Sequence, residues 1–175
     1  MQIDGNVLIG YTDWERQKWR DWFGQHRDAL NTTMGPHGDN QTVGDVVKHI
    51  FSAEKRYIER LSEKPLTDTA LIPSDNLEAL FELGQRSRQD LQNFIESFPA
   101  TNWDTLKDFD FVGWSLKATP KKIIMHVLTH ELRHWAQIAT LLRVNGFKGD
   151  FHDFIFSPVL GGEFKTEQAK ASQGR

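Results

Sequence analysis

The stretch "HVLTHELRHWAQIATLLRVNGF", residues 126–147, decides the fold and raises the question of function. Its apolar residues recur every three or four positions, which predicts a long amphipathic helix. Thr119 and Pro120 precede it as an N-cap with proline at the first helical position, and Gly146 follows as a C-terminal stop. We therefore expect one helix over roughly residues 120–145.

Three further segments of the chain carry the same helical period. Apolar residues at steps of three and four predict helices over roughly residues 6–30, 42–63 and 75–98. In the first of these segments, charged residues including Glu15 and Arg16 fall between apolar positions, so we place them on the solvent face. The chain is therefore predicted to contain four long helices.

Local signals mark where the second and third helices begin. Thr42 is followed three residues later by Asp45, which resembles a capping box at the start of the second helix. Asp75 is the predicted N-cap of the third helix, with Glu78 behind it. The dense Gly, Asn and Pro content of residues 31–41 predicts a loop before the second helix.

The period of the sequence changes between Asp104 and Thr119. Apolar residues there alternate with polar or small ones on both sides of Gly113, which predicts a short extended hairpin. The predicted fold class is thus all-α, a four-helix bundle with a short hairpin between helices three and four. We expect a single domain over residues 1–160 and a flexible polar tail over residues 161–175.

Composition limits the function classes. The chain has 175 residues, 38% of them hydrophobic, and its 12 Phe and 6 Trp can fill one core. A net charge of −3 argues against a nucleic-acid partner. The absence of Cys excludes disulfides and thiolate ligands, so any metal must be bound by His, carboxylate or water. Because no secretory signal and no run of about 18 apolar residues occurs, we expect a cytoplasmic protein without a membrane partner.

A ridge of histidines on the fourth helix suggests a metal site. Positions four apart lie one above the other on a helix, so His126, His130 and His134 share one face. Two imidazoles at this spacing can direct ring nitrogens at one ion, about 2.0–2.1 Å from each. A third donor must come from another helix, and His49 of helix two is well placed in an apolar segment, residues 46–50, where we expect it to be buried. The alternative is a set of hydrogen-bonded core histidines.

The other histidines give no such pattern. His26, His37 and His152 have no partner at ligand spacing. We expect them to be ordinary surface or loop residues.

The string from His130 to His134 also matches the zinc-peptidase pattern H-E-x-x-H, whose glutamate, here Glu131, acts as a base toward water. The usual third ligand is missing, since Gln137 and Thr140 stand where a metzincin has Gly and His. No sheet that could align a peptide substrate is predicted. A ferritin-like di-iron site needs a second E-x-x-H, and the sequence has none. Peptidase chemistry is therefore the less favoured enzyme interpretation.

Three segments together carry a resemblance to a known family: "DWER" at residues 13–16, "TVGDVVKHIFSAEKRYIERL" at residues 42–61 and the stretch at residues 126–147. They resemble the DinB family, the DNA-damage-inducible-type proteins that are grouped with YfiT-like metal-dependent hydrolases. The resemblance spans residues 9–147. It implies a four-helix bundle that binds one divalent metal ion through three histidines.

Carried over by position, the resemblance assigns three metal ligands, which are His49, His130 and His134. The family's fourth-helix pattern continues after the last histidine as Arg-Gly-Gln. Gln137 matches that pattern, whereas Trp135 and Ala136 depart from it. We expect the missing glycine to keep helix four further from its neighbour, and Trp135 to cover the surface or part of the pocket mouth.

The resemblance also implies chemistry at an open metal position. Proteins of the wider superfamily include transferases and isomerases that use low-molecular-weight thiols such as bacillithiol or mycothiol. An open metal held by three imidazoles, zinc or nickel foremost, lowers the pKa of a thiol or water and delivers a nucleophile at neutral pH. We therefore expect a metal-dependent S-transferase or hydrolase that acts on a small molecule.

Residues beside the predicted ligands have open roles. Glu131 is either a general acid or base, or an ion-pair partner of Arg133 or of a neighbouring helix. His126 and Gln137 either orient a ligand or contact substrate, and His126 can equally be a buried, hydrogen-bonded residue. The alternative to an enzyme is a non-catalytic metal-binding or structural bundle, and we expect a homodimer.

Overall fold

Four long α-helices and one β-hairpin make up the computed structural model of the chain, which describes residues 5–35, 41–111, 113–150 and 152–164. In chain order the elements are α1 Gly5–Gln25, α2 Val43–Leu61, α3 Leu77–Ser97, β1 Lys107–Phe111, β2 Trp114–Ala118 and α4 Pro120–Val144. The strands pair antiparallel, with Phe109 opposite Leu116. This arrangement confirms the prediction of an all-α four-helix bundle with a hairpin between helices three and four.

The start of α2 is the predicted capping box. The backbone N–H of Asp45 donates to Oγ1 of Thr42 at 3.2 Å, and the backbone N–H of Thr42 donates back to Oδ2 of Asp45 at 3.0 Å. Burial by itself raises the pKa of Asp45, but hydrogen bonds from Ser74, Thr42 and Gln41 outweigh it and lower the pKa below its usual value. The charged form of Asp45 therefore stabilises this helix start.

Two predicted helix ends are displaced. The N-cap of α3 is Asn76 rather than Asp75, because the Asn76 side chain accepts the backbone N–H of Ala79 at 2.9 Å. α1 ends at Gln25 instead of continuing to residue 30, and a 3₁₀ helix, Arg27–Asn31, follows it. The backbone hydrogen bonds there join residues three apart instead of four. The spacing of apolar residues alone does not distinguish such a 3₁₀ helix from an α-helix.

Both ends of α4 are as predicted. Thr119 accepts the backbone N–H of Lys122 at 3.2 Å, and Pro120 occupies the first turn. Gly146 has a φ of 86°, the left-handed conformation that favours glycine at a helix end. The ridge of histidines therefore lies well inside a regular helix.

The core consists of two packed clusters. One is rich in aromatic residues from α1 to α4 and includes Trp19, Trp22, Phe23, Phe51, Phe81 and Trp135. The other packs the remaining ends of α2, α3 and α4 against Phe109 and Ala118 of the hairpin. Trp135 is 2% exposed, so the expectation that it covers the surface or a pocket mouth is wrong. Ala136, which stands where the family pattern has glycine, is exposed. Its side chain therefore does not hold α4 away from a neighbouring helix of this chain, and that expectation is wrong as well.

Among the described residues, no helix is both long enough and apolar enough to cross a bilayer. Most of the predicted polar tail, residues 165–175, lies outside the described residues. His37, predicted to be a loop residue, lies outside them too.

Candidate metal centre

Helices α2 and α4 pack against each other and bring three histidine rings together. The Nε2 atom of His130 lies 3.2 Å from Nε2 of His49 and 3.1 Å from Nε2 of His134. One nitrogen from each ring lies within 4.8 Å of the others. The predicted ligands, two from α4 and one from α2, are thus the residues that the fold brings together.

The donor set fits a divalent metal ion. Nitrogen ligands at about 2.0–2.1 Å around a tetrahedral ion stand about 3.3 Å apart. The two nitrogen separations at His130, 3.2 and 3.1 Å, are close to that value. Three imidazole nitrogens suit zinc, nickel or copper better than magnesium or calcium, which prefer oxygen. The three histidines can therefore hold one such ion and leave a position open.

Gln137 is the hydrogen-bond partner of His134 at Nδ1, the ring nitrogen that faces away from His130. Nδ1 of His134 lies 3.0 Å from Oε1 of Gln137. Because an amide oxygen only accepts, Nδ1 donates its hydrogen and Nε2 keeps a lone pair that faces His130. This is the tautomer that a metal ligand needs, with an outer partner that also fixes the ring's orientation.

Burial and nearby positive charge favour the neutral form of the two rings on α4. Burial, and then the neighbouring rings of His134 and His49, lower the pKa of His130 to about 3. Burial also lowers the pKa of His134, although the bond to Gln137 opposes it. Neutral imidazoles at neutral pH are the form that binds metal.

The centre opens to solvent on the α2 side. His134 is buried and His130 is half-buried, but His49 is exposed, so the expectation of a buried His49 is wrong. His49 is exposed because of its place around the helix. Its apolar neighbours along α2 face the core, whereas His49 lies at the edge of the contact with α4. A small molecule can therefore reach this side of the cluster.

His126 lies on the same ridge without joining the three nitrogens. Its ring is exposed and packs 5.4 Å from the ring of His130 and 5.2 Å from the ring of Tyr57, measured between centroids. Burial of part of the ring, and then the charge of Arg133, lower its pKa. His126 and Tyr57 thus extend the aromatic row on which His130 stands.

Glu131 lies in the interior of the bundle. Its carboxylate accepts two hydrogen bonds from Arg16, at 2.6 and 2.7 Å, one from Arg88 at 2.9 Å and one from Trp135 at 3.0 Å. Burial alone raises the pKa of Glu131, but Arg16 and then Arg88 outweigh it and lower that pKa. These contacts favour the ion-pair interpretation, with α1 and α3 as the neighbouring helices. They also disfavour the peptidase interpretation, which needs this glutamate at the metal.

A second buried glutamate completes the cluster around Glu131. Oε2 of Glu54 lies 2.9 Å from Arg16 and 3.3 Å from Arg88, and Oε1 accepts from Ser87 at 2.8 Å. Two arginines and two glutamates, one charge from each of the four helices, therefore meet in the core. The placement of Arg16 on the solvent face is wrong, since it is 8% exposed.

Two histidines expected to be ordinary surface or loop residues have defined contacts. Nδ1 of His152 lies 2.9 Å from Oε2 of Glu15, and its ring stacks on Trp19 with a centroid distance of 4.4 Å. Glu15 is 3% exposed, so its assignment to the solvent face is wrong as well. Nδ1 of His26 lies 2.9 Å from the carbonyl oxygen of Trp22. Glu15 is four residues from both Tyr11 and Trp19 and so shares their face of α1, which was the sequence signal for its burial.

Comparison with protein families gives a match over most of the chain. The family model described as the DinB family matches residues 1–157. No curated protein matches the chain. The matched range contains all four helices and the three convergent histidines.

Proposed function

We propose that this chain, which belongs to the DinB family, is a metal-dependent enzyme that activates a small thiol or water for reaction with a small-molecule substrate. The observation that carries the proposal is the convergence of three Nε2 atoms, those of His49, His130 and His134. A divalent ion there, zinc or nickel, supplies Lewis-acid chemistry, because it lowers the pKa of a thiol or water that enters its open position.

The chain's own residues hold and orient the ligands. Gln137 keeps the proton of His134 on Nδ1 and so directs the Nε2 lone pair into the cluster. The exposed ring of His49 leaves the α2 side accessible to substrate. The rings of Tyr57 and His126 line the approach to His130 from the hairpin end. We propose that they contact the apolar part of a substrate.

Glu131 is not assigned the general-base role in this proposal. Its carboxylate is enclosed by Arg16, Arg88 and Trp135, and its negative charge is balanced by two guanidinium groups. A base that is stabilised in its charged form by two cations is a weak base. The acid/base role of Glu131 therefore stays a prediction without a supporting contact.

The proposal is tested by turnover of the metal-loaded protein. Purified protein is loaded with zinc or nickel and given N-acetylcysteine or bacillithiol with chlorodinitrobenzene as electrophile, and an activated ester in a parallel assay. We expect metal-dependent thiol conjugation or ester hydrolysis that falls to background in His134→Ala. A matched control is His26→Ala, whose ring contacts Trp22 outside the cluster and whose activity should match wild type.

Two results would contradict the proposal in different ways. If the protein binds no divalent ion, the assignment of the three histidines as a metal centre is contradicted. Tight binding of metal with no turnover of any thiol or ester would favour the alternative, a bundle in which metal supports the fold.

A further inference from the structure

A second feature of the same face is a cavity beside His49. Its volume is about 510 Å³, and it lies between α2 and the segment that connects α2 to α3. Its walls include Asp45, Lys48, His49, Ser52, Arg56 and Thr69. Because His49 belongs to both, the cavity and the histidine cluster are adjacent.

Two cations on the cavity wall are not neutralised by carboxylates. Nζ of Lys48 donates to the carbonyl oxygen of Ile72 at 3.1 Å, and the guanidinium of Arg56 donates to Oγ1 of Thr69 at 3.2 Å. Over the described part of the chain, no carboxylate oxygen lies within 4.0 Å of either cation. Lys55 of the same helix, in contrast, pairs with Asp90. The cavity wall therefore carries two cations against one carboxylate, that of Asp45.

The hydroxyl groups of the cavity add a donor. Oγ of Ser52 donates to Oγ1 of Thr69 at 3.1 Å, and Arg56 donates to the same oxygen. A hydroxyl has two acceptor lone pairs and one hydrogen to donate, so the Ser52–Thr69 pair keeps one hydrogen beyond the bond that joins them. Ser52 and Thr69 are both buried, at 5% and 4% exposure, so the wall they form is a fixed one.

The carboxylate of Asp45 does not compete with this donor set. Its Oδ2 accepts the backbone N–H groups of Thr42 and Gln41 in the capping box, at 3.0 and 3.2 Å. This oxygen is thus directed to the start of α2. An oxyanion is the ligand that suits two cations and a hydroxyl donor together.

The spacing along α2 relates this donor set to the metal centre. Arg56 follows His49 by seven residues, which is two turns of helix on the same face and about 10 Å along its axis. A small molecule with its anionic group at Arg56 can therefore extend its other end to His49. A cavity of this volume is in the range that holds a substrate of that size.

We propose that this cavity binds the anionic end, a carboxylate or a phosphate, of the substrate or thiol on which the three-histidine centre acts. This inference rests on the proposed function, since it names the substrate class for that site. Arg56 binds the oxyanion, the hydroxyl pair of Ser52 and Thr69 donates a hydrogen bond to it, and Lys48 adds positive charge on the same wall. The anionic group is held apart from the metal, which leaves the metal's open position to the reacting atom.

Binding of simple anions to a charge-matched set of variants tests the proposal. Succinate and inorganic phosphate are titrated by calorimetry into wild type and into the Lys48→Ala, Arg56→Ala double variant, each with and without zinc. The control is the Lys64→Ala, Lys122→Ala double variant, which removes the same charge at exposed positions away from the cavity. Zinc affinity is measured for every protein.

We expect wild type and control to bind at least one of the two anions, and the cavity variant to bind it about tenfold to hundredfold more weakly. Zinc affinity should be the same in all three proteins. A preference for succinate or for phosphate identifies the carboxylate or the phosphate as the natural group. The proposal is overturned if wild type binds neither anion, or if the cavity variant binds as well as wild type does. If wild type binds an anion but does not bind zinc, the proposed function is overturned instead.

Discussion

Replacement of Glu131 by glutamine tests whether this residue acts in the core or at the metal. The substitution keeps the shape of the side chain but removes one of the two buried carboxylates that pair with Arg16 and Arg88. Two buried guanidinium groups then share one buried carboxylate, that of Glu54, while the half-buried Asp13 pairs with Arg88 at 3.3 Å. Glu131 is 1% and Arg88 6% exposed in this site. Removal of one partner of a buried ion pair costs about 3–5 kcal/mol, out of about 5–15 kcal/mol for a typical domain.

For a chain of this length, that loss in the free energy of unfolding corresponds to a fall in Tm of about 6–20 °C. The assay is denaturant unfolding followed by circular dichroism, with thermal unfolding in parallel. Glu82→Gln is the matched control, since Glu82 pairs with Arg86 at 2.9 Å on the exposed face of α3. We expect the control to lose no more than about 0.5 kcal/mol.

A double variant keeps the test informative if Glu131→Gln folds poorly. Arg16→Met together with Glu131→Gln leaves Arg88 with two carboxylate partners, Glu54 and Asp13, each 3.3 Å away. The double variant should therefore lose less stability than the sum of the two single variants. The reasoning is refuted if Glu131→Gln unfolds like wild type, and a loss of turnover at unchanged stability would restore the acid/base interpretation.

Three further predictions concern packing, capping and the ligand tautomer. Alanine favours helices more than glycine does, yet Gly44→Ala should destabilise the protein by roughly 3 kcal/mol or more. The reason is a clash, because the added Cβ would lie 1.8 Å from the carbonyl oxygen of Ser74. Asp45→Asn should lower the free energy of unfolding by about 1 kcal/mol at neutral pH, because only charged Asp45 makes its capping bonds fully. The difference from wild type should disappear as pH falls through the lowered pKa of Asp45 in the folded state. Gln137→Ala should weaken zinc affinity about 10- to 100-fold, measured by competition with a chelator, because His134 loses the partner of its Nδ1.

Each of these predictions has a control or a contradicting result. Gly10→Ala in α1 meets only a methyl group at 3.6 Å, so it should not destabilise the protein, and equal effects of the two glycine substitutions would contradict the packing argument. A stability difference for Asp45→Asn that persists at the most acidic pH would show that charge is not its cause. Gln85→Ala, at an exposed position of α3, should leave zinc affinity unchanged, and an equal loss there would contradict the role of Gln137.

The fold was predictable because its signals are local. The helical period, the capping box at Thr42 and the glycine stop at Gly146 depend on neighbours within a few residues, and the structure has all three. The start of α3 was displaced by one residue because Asp75 and Asn76 are both good N-caps, and sequence alone does not rank them.

The histidine cluster was predictable in membership but not in environment. Spacing on α4 and the family resemblance identified the three histidines, and the structure brings their nitrogens together. The exposure of His49 depends on how α2 is rotated against α4, which is a property of packing between distant segments.

The buried charge cluster was not predicted because its contacts join residues that are far apart in the sequence. Arg16 and Glu131 are 115 residues apart, and no local pattern joins them. The available signal was position: Arg16 falls one turn from Thr12 and Trp19, which are both buried, on the face that packs inward. A charge on an apolar face indicates a buried partner, and that reasoning would have found the cluster.

Metal content is the most direct test of the central claim that three histidines bind one divalent ion. Wild type, His49→Ala and His126→Ala are purified in parallel, loaded with zinc and measured by elemental analysis. The account predicts one zinc per chain in wild type and in His126→Ala, whose ring lies beside the cluster without joining it, and a large loss in His49→Ala. Equal zinc content in wild type and His49→Ala would contradict it.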